Sequence, residues 1–269
     1  TKFINQPDTL FEDLFVSSSH QRSLSSVIFT DILTKKVGDV ILLVGDPDGF
    51  HTFKAIEMGY KPENIWVWDD TPRGQLYSKL NHVNIVHDLF SLIMKFDVII
   101  GNPPYGSGGN LAIRFLNKCA DLSDDIRLVM PVSIRKPSSQ NKVRLDLICV
   151  EDVTLPDTTF GKTIKTVRQR WVKTDTLRGK IETFTTHPDF QFVKKQDNPD
   201  CMIFRCGASA GKLVFEFDDN KPDHYYLKAS SEVIQKLSEI QSELIETSKE
   251  QNGMPGISKH DLISTYIRR

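Results

Sequence analysis

The chain has 269 residues, 39% of them hydrophobic and 26% charged, with a formal net charge of −1; it is long enough for one large domain plus a smaller one. No apolar run approaches the ~20 residues of a membrane-spanning helix, no stretch reads as a signal peptide, and the near-neutral total by itself argues against a nucleic-acid partner. Cys119, Cys149, Cys201 and Cys206 are dispersed without the second close pair that a zinc site requires, so no metal is expected. They read as reduced thiols of a cytoplasmic protein, with a labile Cys201–Cys206 bridge as the alternative.

From Thr1 to Lys36 apolar residues recur at helical spacing, among them Leu10, Phe11, Leu14 and Phe15, then Leu24, Val27, Ile28, Ile32 and Leu33. This segment is expected to be helical and to pack on a sheet edge. Asp39 to Val44 reads as an apolar strand running into the turn Gly45-Asp46-Pro47-Asp48-Gly49, with a helix from His51 to Met58. That is a first βα unit, and in doubly wound folds a nucleotide-like cofactor lies over such a turn, whose glycines allow close backbone approach. Ile65 to Trp68 reads as a second strand ending in Asp69 and Asp70. A carboxylate there can accept both hydroxyls of a ribose; Asp69 is favoured, and capping the next helix is the alternative for both acids. A short strand from Val83 to Val86 leads to His87, Asp88 and Leu89; His87 has no partner that would make it a base and is read as structural.

Phe96-Asp97-Val98-Ile99-Ile100-Gly101 then reads as a buried parallel strand that runs into the polar corner Asn102-Pro103-Pro104-Tyr105. Each proline fixes its own φ and lacks an N–H, so the carbonyls of Asn102 and Pro103 are held in set directions. With the Asn102 side-chain oxygen and the flat face of Tyr105, the corner suits a planar amine. Two acceptors on an exocyclic NH2 draw its hydrogens out of the ring plane and free the nitrogen lone pair. The glycine-rich loop Gly106 to Asn110 feeds a helix from Leu111 to Leu122 and lacks the Gly-Lys-Ser/Thr ending of a nucleoside triphosphate site.

Asn-Pro-Pro-Tyr at the carboxyl end of a strand is the hallmark of S-adenosylmethionine-dependent amino-methyltransferases, and residues 37 to 174 resemble that family. The resemblance implies an α/β fold: a Rossmann-like, seven-stranded methyltransferase sheet that ends in a reversed C-terminal hairpin, with a smaller α+β domain. It implies S-adenosylmethionine as cofactor, held by Gly45, Asp46 and Gly49 of the turn, by Asp69 or Asp70, by Asp88 and Leu89, and by Asn102. Pro47 stands where the family has its middle glycine. Asn102, Pro103, Pro104 and Tyr105 would be catalytic, and Phe160 matches the aromatic position that supports a flipped base opposite Tyr105. The alternative for Phe160 is a core plug.

Asp125 to Val132 reads as a fifth strand, and Val150 to Pro156 with Thr163 to Thr174 as the closing hairpin. Beyond Asp175 strand-like pieces at 201–206, 213–217 and 225–228 precede a polar helix from Ser230 to Lys249, giving domains 1–175 and 176–269. Between Arg135 and Lys195 thirteen Lys or Arg face seven Asp or Glu, an excess that could follow a phosphate backbone or form a solvated face. Cofactor turn, catalytic corner and trailing basic domain follow in the γ order of DNA amino-methyltransferases. The expectation is therefore an enzyme that methylates adenine N6 in DNA by base flipping and direct transfer, with no nuclease motif in the chain. The alternatives are methylation of ribosomal RNA guanine N2 or of a protein glutamine, and a catalytically dead methyltransferase-like binding protein.

Overall fold

The computed structural model describes residues 38–156, 165–217, 223–250 and 254–269. The expected N-terminal helices and Phe160 lie outside the described residues. The chain divides into two units, one running to Ile134 and resuming over Asn141–Lys180, the other formed by Arg135–Gln140 and Ile181–Arg269. The break expected after 175 falls five residues later, because Thr174 N–H donates to the Asp146 carbonyl and Arg178 N–H to that of Leu145, binding 174–178 to the first unit.

The first unit is built on strands β1 (Ile41–Val44), β2 (Ile65–Trp68), β3 (Asn84–Val86), β4 (Val98–Gly101), β5 (Asp125–Pro131), β6 (Leu147–Thr154) and β7 (Thr166–Lys173). They form one seven-stranded sheet in the order β3-β2-β1-β4-β5-β7-β6. β3 to β5 are mutually parallel, and β7 runs antiparallel to both β5 and β6. This is the seven-stranded sheet with a reversed terminal hairpin that was expected.

β1 and β4 occupy the centre and are buried along their whole length, which explains why Ile-Leu-Leu-Val and Val-Ile-Ile-Gly carry no polar residue. Alternation splits the strands between two cores. Leu42, Val44 and Ile99 join Phe115, Leu116 and Leu122 on one face, while Ile41, Leu43 and Ile100 join Ala55, Tyr60 and Val67 on the other. The first face is covered by helix Asn110–Leu122, whose buried Ala112, Ile113, Phe115, Leu116, Cys119 and Ala120 recur at helical spacing. At the end of β4, a Cβ on Gly101 would lie 2.0 Å from the Val44 carbonyl oxygen, so the two central strands approach at a distance only glycine permits.

The second unit holds an antiparallel four-stranded sheet in the order β10 (Leu213–Val214), β9 (Cys201–Phe204), β11 (His224–Ala229), β8 (Phe190–Val193). Its core joins Phe190, Ile203 and Leu227 to Leu237, Leu244, Leu262 and Tyr266 from its helices. The single helix expected over 230–249 is two, Ser231–Glu239 and Gln241–Ser248, divided at Ile240. β8 and helix Lys259–Ile267 were not anticipated from the sequence.

Gly101→Ala is expected to destabilise the protein by about 3 kcal/mol or more, since backbone rather than a yielding side chain would have to move. Urea unfolding measures it, and a loss below about 1 kcal/mol would contradict the packing described here.

Candidate functional site

The carboxyl ends of β1, β2 and β4 are tied together by main-chain hydrogen bonds. Gly45 N–H donates to the Trp68 carbonyl at 2.8 Å, and Asn102 N–H donates to the Val44 carbonyl at 2.8 Å. Gly45 has φ +77°, and a Cβ there would sit 2.4 Å from the Asn102 carbonyl oxygen. The turn after β1 and the corner after β4 therefore touch through a glycine.

Asp46 organises the turn. Its carboxylate is buried and accepts the backbone N–H of His51 at 3.0 Å, the backbone N–H of Thr52 at 2.9 Å and the Thr52 hydroxyl at 2.7 Å. Helix α1 (Phe50–Glu57) has Gly49 as its N-cap, with no side-chain cap of its own, so Asp46 reaches forward to fill that role. Burial alone would raise the Asp46 carboxyl, but the bonds from His51 and Thr52 outweigh it and hold the group below its ordinary 3.8. The side chain of Asp46, expected among the cofactor contacts, is engaged within the turn and the start of the helix.

Asp69 completes the support. One of its oxygens accepts the Asp46 backbone N–H at 2.7 Å, and the other accepts the Thr71 N–H at 2.8 Å together with the Thr71 hydroxyl. A Cβ on Gly74 would meet that second oxygen at 2.4 Å, so the carboxylate is enclosed on this side as well. Thr71 in turn caps α2 (Pro72–Leu80) by accepting from Gly74 N–H. Both Asp69 oxygens are thus engaged by the turn, while Asp70 is exposed beside it and accepts no hydrogen bond among the described residues.

These groups border a cleft of about 290 Å³ lined by Gly45, Pro47, Trp68, Asp69, Asp70, Thr71, Asn102, Pro103, Pro104 and Tyr105. Seven of the expected site residues meet there: Gly45, Asp69, Asp70 and the whole corner. Gly49 is not among the lining residues; an added Cβ there would strike the Tyr77 side chain at 2.8 Å. Asp88 is exposed and turns back to accept the Phe90 N–H at 2.9 Å, closing its own turn. Leu89 is fully buried and packs in the main core, so its side chain is structural rather than a cofactor contact.

Pro47, noted in the sequence only as a departure from the family's turn, lines the cleft, and Trp68 and Thr71 were missed. Trp68 packs on Phe115 with ring centroids 4.6 Å apart and shows its remaining surface to the cleft. The signal was the alternation of β2, in which Ile65 and Val67 are buried and Trp66 and Trp68 are half-exposed.

Within the corner, Pro103 is buried, Pro104 exposed, and Asn102 and Tyr105 half-buried. The Tyr105 hydroxyl donates to Asn102 Oδ1 at 2.8 Å, and burial pushes the phenol up. The Tyr105 carbonyl accepts from Leu111 and Ala112 N–H at 3.0 and 3.3 Å, which anchors α3 (Asn110–Leu122) to the corner. The glycine-rich loop Gly106 to Asn110 forms a helical turn over Ser107–Gly109, with Asn110 Nδ2 donating to the Ser107 carbonyl at 2.9 Å.

Much of the basic excess is engaged internally. In the first unit Arg144 pairs with Asp121 and Asp146, Arg168 with Glu151, and Arg170 with Asp125; Arg178 donates to the carbonyls of Leu147 and Val143. In the second unit Lys136 lies 3.7 Å from Asp261. Asp121 and Asp125 lie upstream of the basic run and Asp261 far downstream of it, and only strand pairing brings Glu151 to Arg168, so spacing along the chain did not show these pairs. All four cysteines are free thiols, so the Cys201–Cys206 bridge does not form, and burial pushes Cys119 to about 12 and Cys201 to about 11, far from nucleophilic. No group of metal-ligating side chains and no helix long and apolar enough to cross a membrane occurs among the described residues.

No family model matches the chain, and no curated protein matches it. Among solved structures it is similar to a methyltransferase from Pyrococcus furiosus, at 18% identity and a TM-score of 0.42 over 57% of this chain and 83% of that one. It is also similar to the ribosomal protein L11 methylase of Lactobacillus delbrueckii subsp. bulgaricus, at 12% identity and a TM-score of 0.44 over 58% of this chain and 80% of that one. TrmN from Thermus thermophilus aligns at 13% identity and a TM-score of 0.47, over 61% of this chain and 52% of that one.

Asp46→Ala is expected to cost about 2–3 kcal/mol, the loss of a charged cap on two backbone N–H groups. Because the folded-state carboxyl is depressed, the stabilisation is fully present above the ordinary 3.8 and is lost as pH falls through the lower folded value. Urea unfolding of wild type and variant should therefore show the full gap at neutral pH and a narrowing gap only below 3.8; equal stabilities at neutral pH would contradict the assignment.

Proposed function

We propose that the chain is an S-adenosylmethionine-dependent amino-methyltransferase whose substrate is the N6 amine of adenine in DNA. The observation that carries this reading is the Asn102-Pro103-Pro104-Tyr105 corner, seated at the carboxyl end of β4 and bordering the same cleft as Gly45, Asp69 and Asp70.

The character of the cleft supports an adenosyl ligand with a positive charge over one with phosphates. In dinucleotide-binding folds a pyrophosphate occupies the N-terminus of the first helix. Here the Asp46 carboxylate already accepts the His51 and Thr52 N–H groups at that helix start. Among the described residues the lining includes Asp69 and Asp70 and neither Lys nor Arg, so an incoming phosphate meets like charge and a cation meets its complement. Gly45, where a Cβ would collide with the Asn102 carbonyl, lets the turn lie directly against the corner, so that both border one cleft.

S-adenosylmethionine bound there would supply an electrophilic methyl carbon on a sulfonium. Asp70 is the carboxylate available for ribose hydroxyls, and Trp68 offers an aromatic face. Asn102 Oδ1 and the Pro103 carbonyl accept the hydrogens of the substrate amine, and Pro104, without an N–H, keeps the corner out of any ladder. The amine nitrogen would form its bond to the methyl carbon with its own lone pair as the carbon–sulfur bond breaks and leaves its electron pair on sulfur, which becomes a neutral thioether, and one proton of the amine would then pass to water. Alignment in place of covalent chemistry accounts for the rate. The preference for DNA rests on the order of the chain, a catalytic unit followed by a separate second unit, and on extrusion of the base as the route by which a duplex presents its amine.

Incubation with methyl-labelled cofactor and DNA, RNA or protein, followed by identification of the modified group, tests the assignment. Label is expected in DNA as N6-methyladenine; label in RNA or protein alone would replace the substrate, and label in none would remove the activity. Asn102→Ala should lower kcat by about 10²–10³-fold with the fold retained, as for loss of a preorganised polar group at a reacting centre. Asp70→Asn should raise the cofactor KM about tenfold with little change in kcat, whereas Asp69→Asn should lower thermal stability. An Asp69 variant of normal stability with a cofactor defect would restore the original preference.

A further inference from the structure

The Tyr105 hydroxyl has a task that an aromatic stacking face does not require. It donates to Asn102 Oδ1 at 2.8 Å, and among the described residues it has no other hydrogen-bond partner. An asparagine amide can turn over by 180°, exchanging oxygen for NH2 with almost no change in shape. At this corner the two orientations are chemically opposite: Oδ1 accepts from a substrate amine, while Nδ2 would point donor against donor.

We propose that Tyr105 is a positioning residue that sets the orientation of the Asn102 amide and so fixes an acceptor at the amine subsite. If Asn102 turned over, Nδ2 could still meet the phenol oxygen, but the phenol proton would lose its acceptor in a half-buried setting. That loss biases the equilibrium toward the productive orientation. With the oxygen facing Tyr105, one of its lone pairs accepts the phenol proton and the other is left for the substrate. The anchor is firm at both ends. Tyr105 packs against both apolar cores of the first unit, its carbonyl holds the start of α3, and Asn102 N–H is fixed on the Val44 carbonyl. The same packing leaves only part of the ring surface on the cleft, so fixing the amide is a task at least equal to stacking.

This inference rests on the amino-methyltransferase reading for its catalytic consequence, and the test separates the two. The side-chain amide of Asn102, assigned by its disappearance in Asn102→Asp, is followed by NMR in the full chain of wild type and Tyr105→Phe, which keeps the ring and its packing. Wild type should show two sharp, slowly exchanging amide hydrogens, and Tyr105→Phe should show them broadened or fast-exchanging at unchanged melting temperature. In methyl transfer to DNA, Tyr105→Phe should lower kcat about tenfold to hundredfold with the KM for DNA within about twofold, since the ring remains. Unchanged amide signals, or a kcat within about twofold of wild type, would overturn the proposal. So would a rise in KM at constant kcat, which would make Tyr105 a stacking face alone. If wild type methylates no amine, the amino-methyltransferase reading fails by itself, and the amide signals still decide whether the hydroxyl holds Asn102.

Discussion

A buried carboxylate at the start of the first helix determines much of what this fold can do. Asp46 accepts the backbone N–H groups of His51 and Thr52, and its own N–H is held by Asp69. The helix terminus that other doubly wound folds offer to phosphate is thereby closed from within the chain. The positive end of the helix dipole is answered by a fixed negative charge, and the space above is left to a ligand of different character. Asp69 is drawn into the same network through Thr71, which in turn caps the next helix. Two acids, Asp46 in the turn and Asp69 at the end of β2, thus become scaffold, and Asp70 remains at the surface of the cleft.

The second constraint is the closeness of β1 and β4. Gly101 lies against the Val44 carbonyl and Gly45 against that of Asn102, so the cofactor turn and the polar corner are held in register by backbone contact. A site assembled from two loops acquires in this way the precision of the sheet beneath it. The corner gains a further tie through Tyr105, which bonds Asn102 with its hydroxyl and the start of α3 with its carbonyl. Rigid placement of a few acceptors is what direct transfer to an amine asks of a protein, since no enzyme group has to form a bond.

The central strands and the corner were legible because their signals are local: a short β-branched run, a glycine, two prolines. The closing hairpin was legible for the same reason, although its first strand begins at Leu147 instead of Val150. Choosing between Asp69 and Asp70 was not possible on spacing, because adjacent acids at a strand end differ only in what the neighbouring turn does with them. Asp88 and Leu89 show the converse. Their position in strand order matches a cofactor contact, yet one closes its own turn and the other fills the core. How much of the basic run is paired could not be read without the partner strands, which bring Asp125 to Arg170 and Glu151 to Arg168.

The claim on which the account depends is that the cleft accepts an adenosyl sulfonium and rejects a nucleotide phosphate. Isothermal titration calorimetry of the full chain with S-adenosylmethionine, and in parallel with ATP and with NAD, tests it directly. The account predicts saturable heat with S-adenosylmethionine, abolished or weakened in Asp70→Asn, and none with either phosphate-bearing ligand. Binding of ATP or NAD at this cleft, or no binding of S-adenosylmethionine, would contradict it.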